Sequence, residues 1–541
     1  MIKKTTNYIL IVISILILAT GIKSFLLIRG VVPFNSDEAI VGLMARHILM
    51  GELPLLFYGQ AYMGSLDAFL VALFFLMFGQ KVLLIRIVQI ILYLLVIITT
   101  MLIIETAHSS RKMAIVAGLL LAFPTVNMTL YTTASLGGYG EALLFGNLTL
   151  LSGIWIWRLL EINSNSFLDG YPKILPLTIF WGFIAGVGFW TNAITGVYSI
   201  PIALILGYRI IKVVKSIKII LIVFVSATLG FLTGSLPWWI YAIQNGWTTS
   251  LKELFGGAIQ NTSMTSFQAI FDHLINLVLL GIPVIFGFRP PWEIWWLLLP
   301  ILPFALFGWG YIFYLWAKKI SKTNHLAYLD LSIIGIFSTS VIGLIFTPFG
   351  NDPSGRYFLP ITIIFTFIAV DAIVNMTRRK LIQFIIPGLL IIYQLGGIIQ
   401  SSNRYPPGIT TQFFSVSVID HRYDDELIRF LKNEGEYNGY TNYWVSYPLA
   451  FLSEETLIFI PSLPYHLDLN YTPRDNRYQP YVERVQNANR VAYILTNNPP
   501  LEDKMRKGLQ YLNITWKEET IGDYLIFYKL SKIVRPAEIG L

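Results

Sequence analysis

Apolar runs punctuated by short polar stretches make up roughly the first 400 residues of this chain. Runs over 8–28, 83–104, 113–130, 142–158, 175–191, 195–211, 218–240, 295–317, 327–347, 357–375 and 381–400 have the composition of helices that cross a hydrocarbon core, about eleven in all. Two further apolar stretches, 65–79 and 271–288, read as amphipathic or re-entrant, because counting them as spans would divide the basic loops between two sides. On this reading Lys3/Lys4, Arg111/Lys112, Arg158/Lys173, Arg209/Lys212/Lys215/Lys218, Lys318/Lys319/Lys322 and Arg378/Arg379/Lys380 share one face, which is then the cytoplasmic one. The amino terminus is cytoplasmic, and the loops 29–82, 131–141, 241–294 and 348–356 lie on the far side.

Beyond residue 400 the pattern changes. Short alternations such as Thr456-Leu457-Ile458-Phe459-Ile460 and Val491-Ala492-Tyr493-Ile494-Leu495 predict strands, and 424–433 and 501–512 predict helices. The chain therefore divides into a membrane domain, 1–400, and a soluble α/β domain, 401–541, which follows an odd number of spans and is extracytoplasmic. No internal repeat or low-complexity tract is visible.

Composition agrees with a multi-pass protein of the cell membrane: 55% of the 541 residues are hydrophobic and only 13% charged. The net charge of +8 would suit nucleic acid, but the basic residues sit in the loops between apolar runs, where they orient the protein in its membrane and argue against a nucleic-acid partner. With no cysteine, any metal would have carboxylate or histidine ligands. His47, His273 and His466 lack the spacing of a zinc site. Met1-Ile2-Lys3-Lys4 before an apolar run resembles a signal peptide, yet the run over 8–27 is long and lacks a small-residue cleavage pattern, so it reads as a retained helix.

The candidate chemistry sits in the far-side loops. Asp37 and Glu38 are adjacent acids just after the first span, within Phe34-Asn35-Ser36-Asp37-Glu38-Ala39. Asn35 as a helix N-cap with Glu38 closing a capping box would account for one of them. Ile40, Leu43, Met44, His47 and Ile48 then share one helical face, predicting a helix lying flat on the outer membrane surface. The stretch Gly51-Glu52-Leu53-Pro54-Leu55-Leu56-Phe57-Tyr58-Gly59-Gln60-Ala61-Tyr62-Met63-Gly64-Ser65-Leu66-Asp67-Ala68 follows. Its aromatic and amide groups, with Tyr58, Gln60, Tyr62 and Asp67 foremost, suit sugar faces and hydroxyls, and equally an interfacial aromatic belt.

The order of these pieces is more specific than any one of them. An acidic pair after the first span, an interfacial helix ending in a glycine-proline stretch, a tyrosine-rich segment, a second apolar helix closing in Leu76-Met77-Phe78-Gly79, and Arg86 opening the next span resemble the GT-C glycosyltransferases of the protein O-mannosyltransferase and aminoarabinose-transferase group. The resemblance extends over the membrane part and is strongest in residues 34–86. It implies the GT-C fold and an inverting transferase that takes a sugar from a polyprenyl-phosphate carrier and gives it to a protein, lipid or glycan acceptor on the extracytoplasmic face. It also implies that Asp37 or Glu38 holds the place of the catalytic acid, with Asp37 the favoured base and the two roles exchangeable. Where such enzymes use a divalent cation, Mg or Mn, Asp37 and Glu38 would be its ligands.

Independent chemistry fits. A hydroxyl attacking an anomeric carbon needs a carboxylate within hydrogen-bond reach, and a departing phosphate needs cations. Glu141, in Leu136-Gly137-Gly138-Tyr139-Gly140-Glu141, is a second acid on the same side and Tyr139 a substrate-binding candidate, although a cap on the following helix accounts for Glu141 better than catalysis does and its surroundings depart from the mannosyltransferase pattern. Arg86, Arg289 and Arg356 are the candidate phosphate-binding cations, since a guanidinium donates two hydrogen bonds and keeps its charge near lipid. Arg356, in Gly350-Asn351-Asp352-Pro353-Ser354-Gly355-Arg356-Tyr357-Phe358-Leu359-Pro360, leads that group. Snorkelling to headgroups is the structural alternative. Competing functions are a lipid or polysaccharide transporter and an envelope assembly protein. A transporter would place charges in mid-span or show repeated halves, which this chain does not.

Overall fold

The computed structural model describes residues 2–162, 167–257, 266–291, 293–323, 325–352, 354–377, 379–412, 414 and 416–541. Arg378 and Pro353, which figure in the sequence patterns above, lie outside the described residues. In chain order the elements that matter are α1 (Ile2–Ile28), α2 (Ser36–Leu49), β1 (Leu56–Phe57), β2 (Gln60–Gly64), α3 (Leu66–Phe78), α4 (Val82–His108), α5 (Arg111–Ala122), α6 (Val126–Tyr131), α7 (Tyr139–Ile162), α8 (Phe167–Thr191), α9 (Gly196–Val213), α10 (Ile217–Gly234), α11 (Leu236–Asn245), α12 (Trp247–Leu254), α13 (Ser266–Asn276), α14 (Ile282–Ile285), α15 (Leu302–Lys322), α16 (Tyr328–Phe346), α17 (Leu359–Asp371) and α18 (Lys380–Ser402). Then follow α19 (Asp424–Glu434), β3 (Asn438–Thr441), α20 (Tyr443–Leu452), β4 (Ile458–Pro461), α21 (Gln479–Gln486), β5 (Ala492–Thr496), α22 (Pro499–Tyr511), β6 (Lys517–Ile521) and β7 (Tyr524–Tyr528).

Ten helical stretches among the described residues are long and apolar enough to cross a bilayer, and the protein is a multi-pass membrane protein. The differences from the expected spans have local causes. The run over 113–130 is broken into α5 and α6 because Pro124 disfavours helix at Phe123, and Thr125 then caps α6 by accepting from the Met128 N–H at 3.1 Å. The stretch read as re-entrant at 271–288 is instead part of one of the ten, Phe267–Ile285: a wider turn at Leu277–Gly281 leads into Pro283, which has no N–H to give, and the helix continues. The expected span at 295–317 starts only at Leu302, after Pro300, and is not among the ten. At 13 residues α3 is about 20 Å long, too short to span.

The chain forms two compact units. The first comprises Met1–Arg29, Ala61–Asp67 and Ile87–Asn403; the second comprises Gly30–Gln60, Ala68–Arg86 and Arg404–Leu541. In the first, α8 and α10 approach backbone to backbone. Gly182 and Gly186 on one helix and Gly230 and Gly234 on the other are each four positions apart, one helical turn, and a methyl on any of them would overlap a carbonyl oxygen of the opposite helix. In lipid, where water does not drive helices together, this close van der Waals contact is what joins them.

In the second unit a five-stranded sheet of order β4-β3-β5-β7-β6 is parallel across β4, β3 and β5 and antiparallel across β5, β7 and β6. Leu427 and Leu431 of α19, Val445 and Leu449 of α20, and Phe459, Ile494 and Ile526 of the strands form its core. The two-residue turn joining β6 to β7 uses Gly522 at φ +55°. Helix α2 packs here too: at Gly42 an added methyl would collide with the rings and methyls of Phe451 and Ile85. Of the face expected on the membrane surface, Ile40, Leu43, Met44 and His47 are buried and Ile48 is half-buried. Protein covers them instead of lipid headgroups, because α20 supplies a partner that the local pattern cannot announce.

Candidate functional site

The N-terminus of α2 sets the acidic pair in place. Asn35 caps the helix, its side chain accepting from the Glu38 N–H at 3.0 Å. The expected capping box is only half made, because the Glu38 carboxylate turns to Arg86. Arg86 Nε donates to Glu38 Oε1 and Nη2 to Oε2, both at 2.9 Å, a bidentate pair with the Glu38 side chain fully buried. Burial pushes the Glu38 carboxyl above its ordinary 4.5, and the Arg86 charge pulls against that rise.

Asp37, one residue earlier, is half-buried. Its Oδ1 accepts a hydrogen bond from the Tyr443 hydroxyl, at the start of α20. Ser36 Oγ donates to the Tyr443 carbonyl, so the two segments are clasped in both directions. The Arg477 guanidinium lies 5.5 Å from the centre of the Tyr443 ring. Tyr447 accepts from the Arg477 N–H at 2.6 Å and donates to the Asp475 carbonyl at 2.8 Å. Burial lifts the Asp475 carboxyl to about 7, with the Arg477 charge opposing and the Asp37 charge adding. Farther along α2, His47 Nδ1 lies 2.9 Å from the Tyr58 hydroxyl and Nε2 2.9 Å from Glu455 Oε1, and Tyr478 stacks on both the His47 and Tyr58 rings. Thus Asp37, Glu38, Arg86 and Tyr58 share the second unit, and Gln60 is the last residue of its first segment.

The remaining candidates fall in the first unit. Glu141 and Asp67 are buried together: Gln89 donates to Asp67 Oδ1 at 2.9 Å and Ser135 donates to Oδ2. The charges of both residues act on each other. Arg356 pairs with Asp352 and lies 5.0 Å from the centre of the Tyr357 ring. Tyr62, Tyr139 and Tyr357 surround its charge, and Tyr139 packs edge-on against Tyr131. Arg289 is consumed locally, donating to the carbonyls of Leu280, Pro290 and Glu293 at 2.9–3.1 Å.

Beside Arg356 lies a cavity of about 590 Å³, lined by Tyr62, Phe349 and Tyr357 and continuing along apolar side chains of α8, α9, α10 and α16. Ile200, Phe224 and Phe255 line it and are themselves exposed, so it opens on an apolar surface. Among the described residues no group of three or more histidine and carboxylate side chains is gathered to hold a metal ion.

Sequence reasoning missed Arg477, Asp475 and Glu455. The charged run Arg474-Asp475-Asn476-Arg477 between tyrosines was the available signal, and nothing local tied it to Asp37, some 440 positions away.

No protein-family model matches the chain, and no curated protein is detectably similar in sequence. Solved structures are similar. ArnT from Cupriavidus metallidurans bound to undecaprenyl phosphate superposes with a TM-score of 0.60 at 10% identity, covering 99% of both chains. The apo form of the same protein gives 0.56 at 11% identity over 97% of this chain and 98% of that one. The archaeal oligosaccharyltransferase AglB from Archaeoglobus fulgidus gives 0.46 at 10% identity, over 89% of this chain and 69% of its own, too distant to carry weight. From its first helix to its C-terminal sheet, this chain has the GT-C fold of ArnT.

Proposed function

We propose that this protein is a membrane glycosyltransferase that moves a sugar from a polyprenyl-phosphate carrier to an acceptor hydroxyl on the extracytoplasmic side, with its amino terminus in the cytoplasm. The observation that carries the reading is the unequal fate of the acidic pair. Glu38 is fully buried with both oxygens in the Arg86 fork, whereas Asp37 is half-buried with one oxygen held by Tyr443. Asp37 is then the base and Glu38 a fixed part of the scaffold. The acceptor oxygen forms its bond to the anomeric carbon as Asp37 takes the hydroxyl proton. The bond from that carbon to the phosphate oxygen breaks, its electron pair leaves with the polyprenyl phosphate, and the centre is inverted.

Arg356 and its tyrosines supply the charge and hydrogen-bond donors that a phosphate needs, and the adjoining apolar cavity suits a prenyl chain. The fold shared with ArnT, which binds undecaprenyl phosphate, supports this assignment.

The test is release of undecaprenyl phosphate from a panel of undecaprenyl-phosphate-linked pentoses and hexoses, by protein reconstituted in phosphatidylethanolamine–phosphatidylglycerol vesicles with total envelope lipid and glycan as acceptor. Wild-type protein turns over at least one donor, and Asp37→Asn lowers kcat by about 10²–10⁴ while leaving binding of undecaprenyl phosphate intact. Absence of turnover on every donor sinks the transferase reading; full activity in Asp37→Asn sinks the base assignment.

A further inference from the structure

We infer that Tyr443 of the C-terminal domain is a positioning residue for Asp37, so that the soluble domain supplies part of the machinery that aims the base; this rests on the reading of Asp37 given above.

The geometry is a two-way clasp. Tyr443 donates its hydroxyl hydrogen bond to Asp37 Oδ1, and its own carbonyl receives the hydroxyl of Ser36, the neighbour of Asp37. A carboxylate on a free side chain rotates about two bonds. Once one oxygen is held by a fixed donor, the direction of the other is set. Tyr443 is such a donor because it is itself immobilised. It is 3% exposed, it opens α20 directly after the cap Asn442, whose side chain accepts from the Trp444 N–H at 3.0 Å, and its ring is packed against Trp444, Tyr447 and the Arg477 guanidinium. Arg477 in turn donates to the Gly59 carbonyl at 3.2 Å, fixing the loop that follows α2. Burial, with the Asp37 charge adding to it, holds the phenol well above its ordinary 10, so it stays a donor through the neutral range.

Holding a reacting group in its productive orientation is worth orders of magnitude in rate, and a displacement of about 1 Å costs on the order of 10²-fold. Removing the Tyr443 hydroxyl while keeping its ring should therefore act on kcat and not on substrate affinity. In the vesicle assay, Tyr443→Phe lowers kcat about 10- to 100-fold with KM for the donor and the melting midpoint of the detergent-solubilised protein unchanged. The Asp37→Asn, Tyr443→Phe double variant is no slower than Asp37→Asn alone, because there is no base left to aim. Packing alone predicts a lowered melting midpoint with kcat retained, or losses that multiply in the double variant, and either result overturns the positioning role. If Asp37→Asn is fully active, the base assignment fails first and the positioning role falls with it. If Asp37→Asn is inactive and Tyr443→Phe is fully active, only the positioning role falls.

Discussion

Truncating Arg86 to alanine should cost the second unit about 3–5 kcal/mol at neutral pH, and the structure says how that figure arises. Two charge-assisted hydrogen bonds of 2.9 Å vanish, and Glu38, with no exposed side-chain surface, is left with no counter-ion. The carboxylate escapes by taking a proton, which at pH 7, well above its ordinary 4.5, costs about 3 kcal/mol. The lost hydrogen bonds add the rest. The sign of the pH dependence follows. In Arg86→Ala the folded-state pKa of Glu38 lies above the unfolded one, so the penalty is smallest at low pH and grows as pH rises. At pH 5, close to the ordinary carboxyl value, neutralisation costs less than about 1 kcal/mol, and most of the defect disappears. Urea titration of the detergent-solubilised protein at pH 7 and pH 5, followed by tryptophan fluorescence, measures both values. Replacing the two residues together, Arg86→Met with Glu38→Leu, removes the buried charges as well as their attraction and should come within about 1 kcal/mol of the parent. A single variant within about 1 kcal/mol of the parent at pH 7, or a defect equal at both pH values, would refute the reasoning.

Two further outcomes follow from other parts of the molecule. Burial pushes the Glu455 carboxyl up, but hydrogen bonds from His47, Tyr481 and Arg46 outweigh it and hold the group at about 2. Its stabilising contribution is therefore complete above the ordinary 4.5 and is lost as pH falls through the range from about 4.5 to 2. Linkage gives about 3 kcal/mol, reduced to about 2 kcal/mol because the group is partly solvated; acid titration of wild type against Glu455→Gln reads it, and parallel curves would refute it. Filling the apolar cavity with Ala203→Trp should weaken undecaprenyl phosphate binding about tenfold or more, a loss of about 1.4 kcal/mol, with the fold intact by circular dichroism; unchanged affinity would remove the cavity from the lipid site.

Much of this protein is legible along the chain. A span must present some twenty apolar residues in a row to lipid, so membrane helices announce themselves locally, and the discrepancies lie where proline changes the backbone: Pro124 breaks one run, and the turn before Pro283 lets another continue. The strands around Ile458 and Tyr493 were visible because a buried strand is a short apolar run between turns. The α2 helix was visible as a helix, with its cap, yet its surroundings were not. Its apolar face would look the same against headgroups or against Phe451, and only the fold puts Phe451 beside Gly42.

The same limit governs the acidic pair. By itself the sequence determined that two carboxylates stand at the start of a helix after the first span, because capping and hydrophobic periodicity are properties of neighbours within a few residues. Tertiary structure alone decided what each acid does with its charge. Glu38 meets Arg86 from 48 positions away and is locked between its nitrogens, while Asp37 meets Tyr443 from 406 positions away and keeps a partly open side. Hydrogen bonds act over about 3 Å in space whatever the separation along the chain, so the difference between two adjacent acids was written by residues that no local pattern could bring to them.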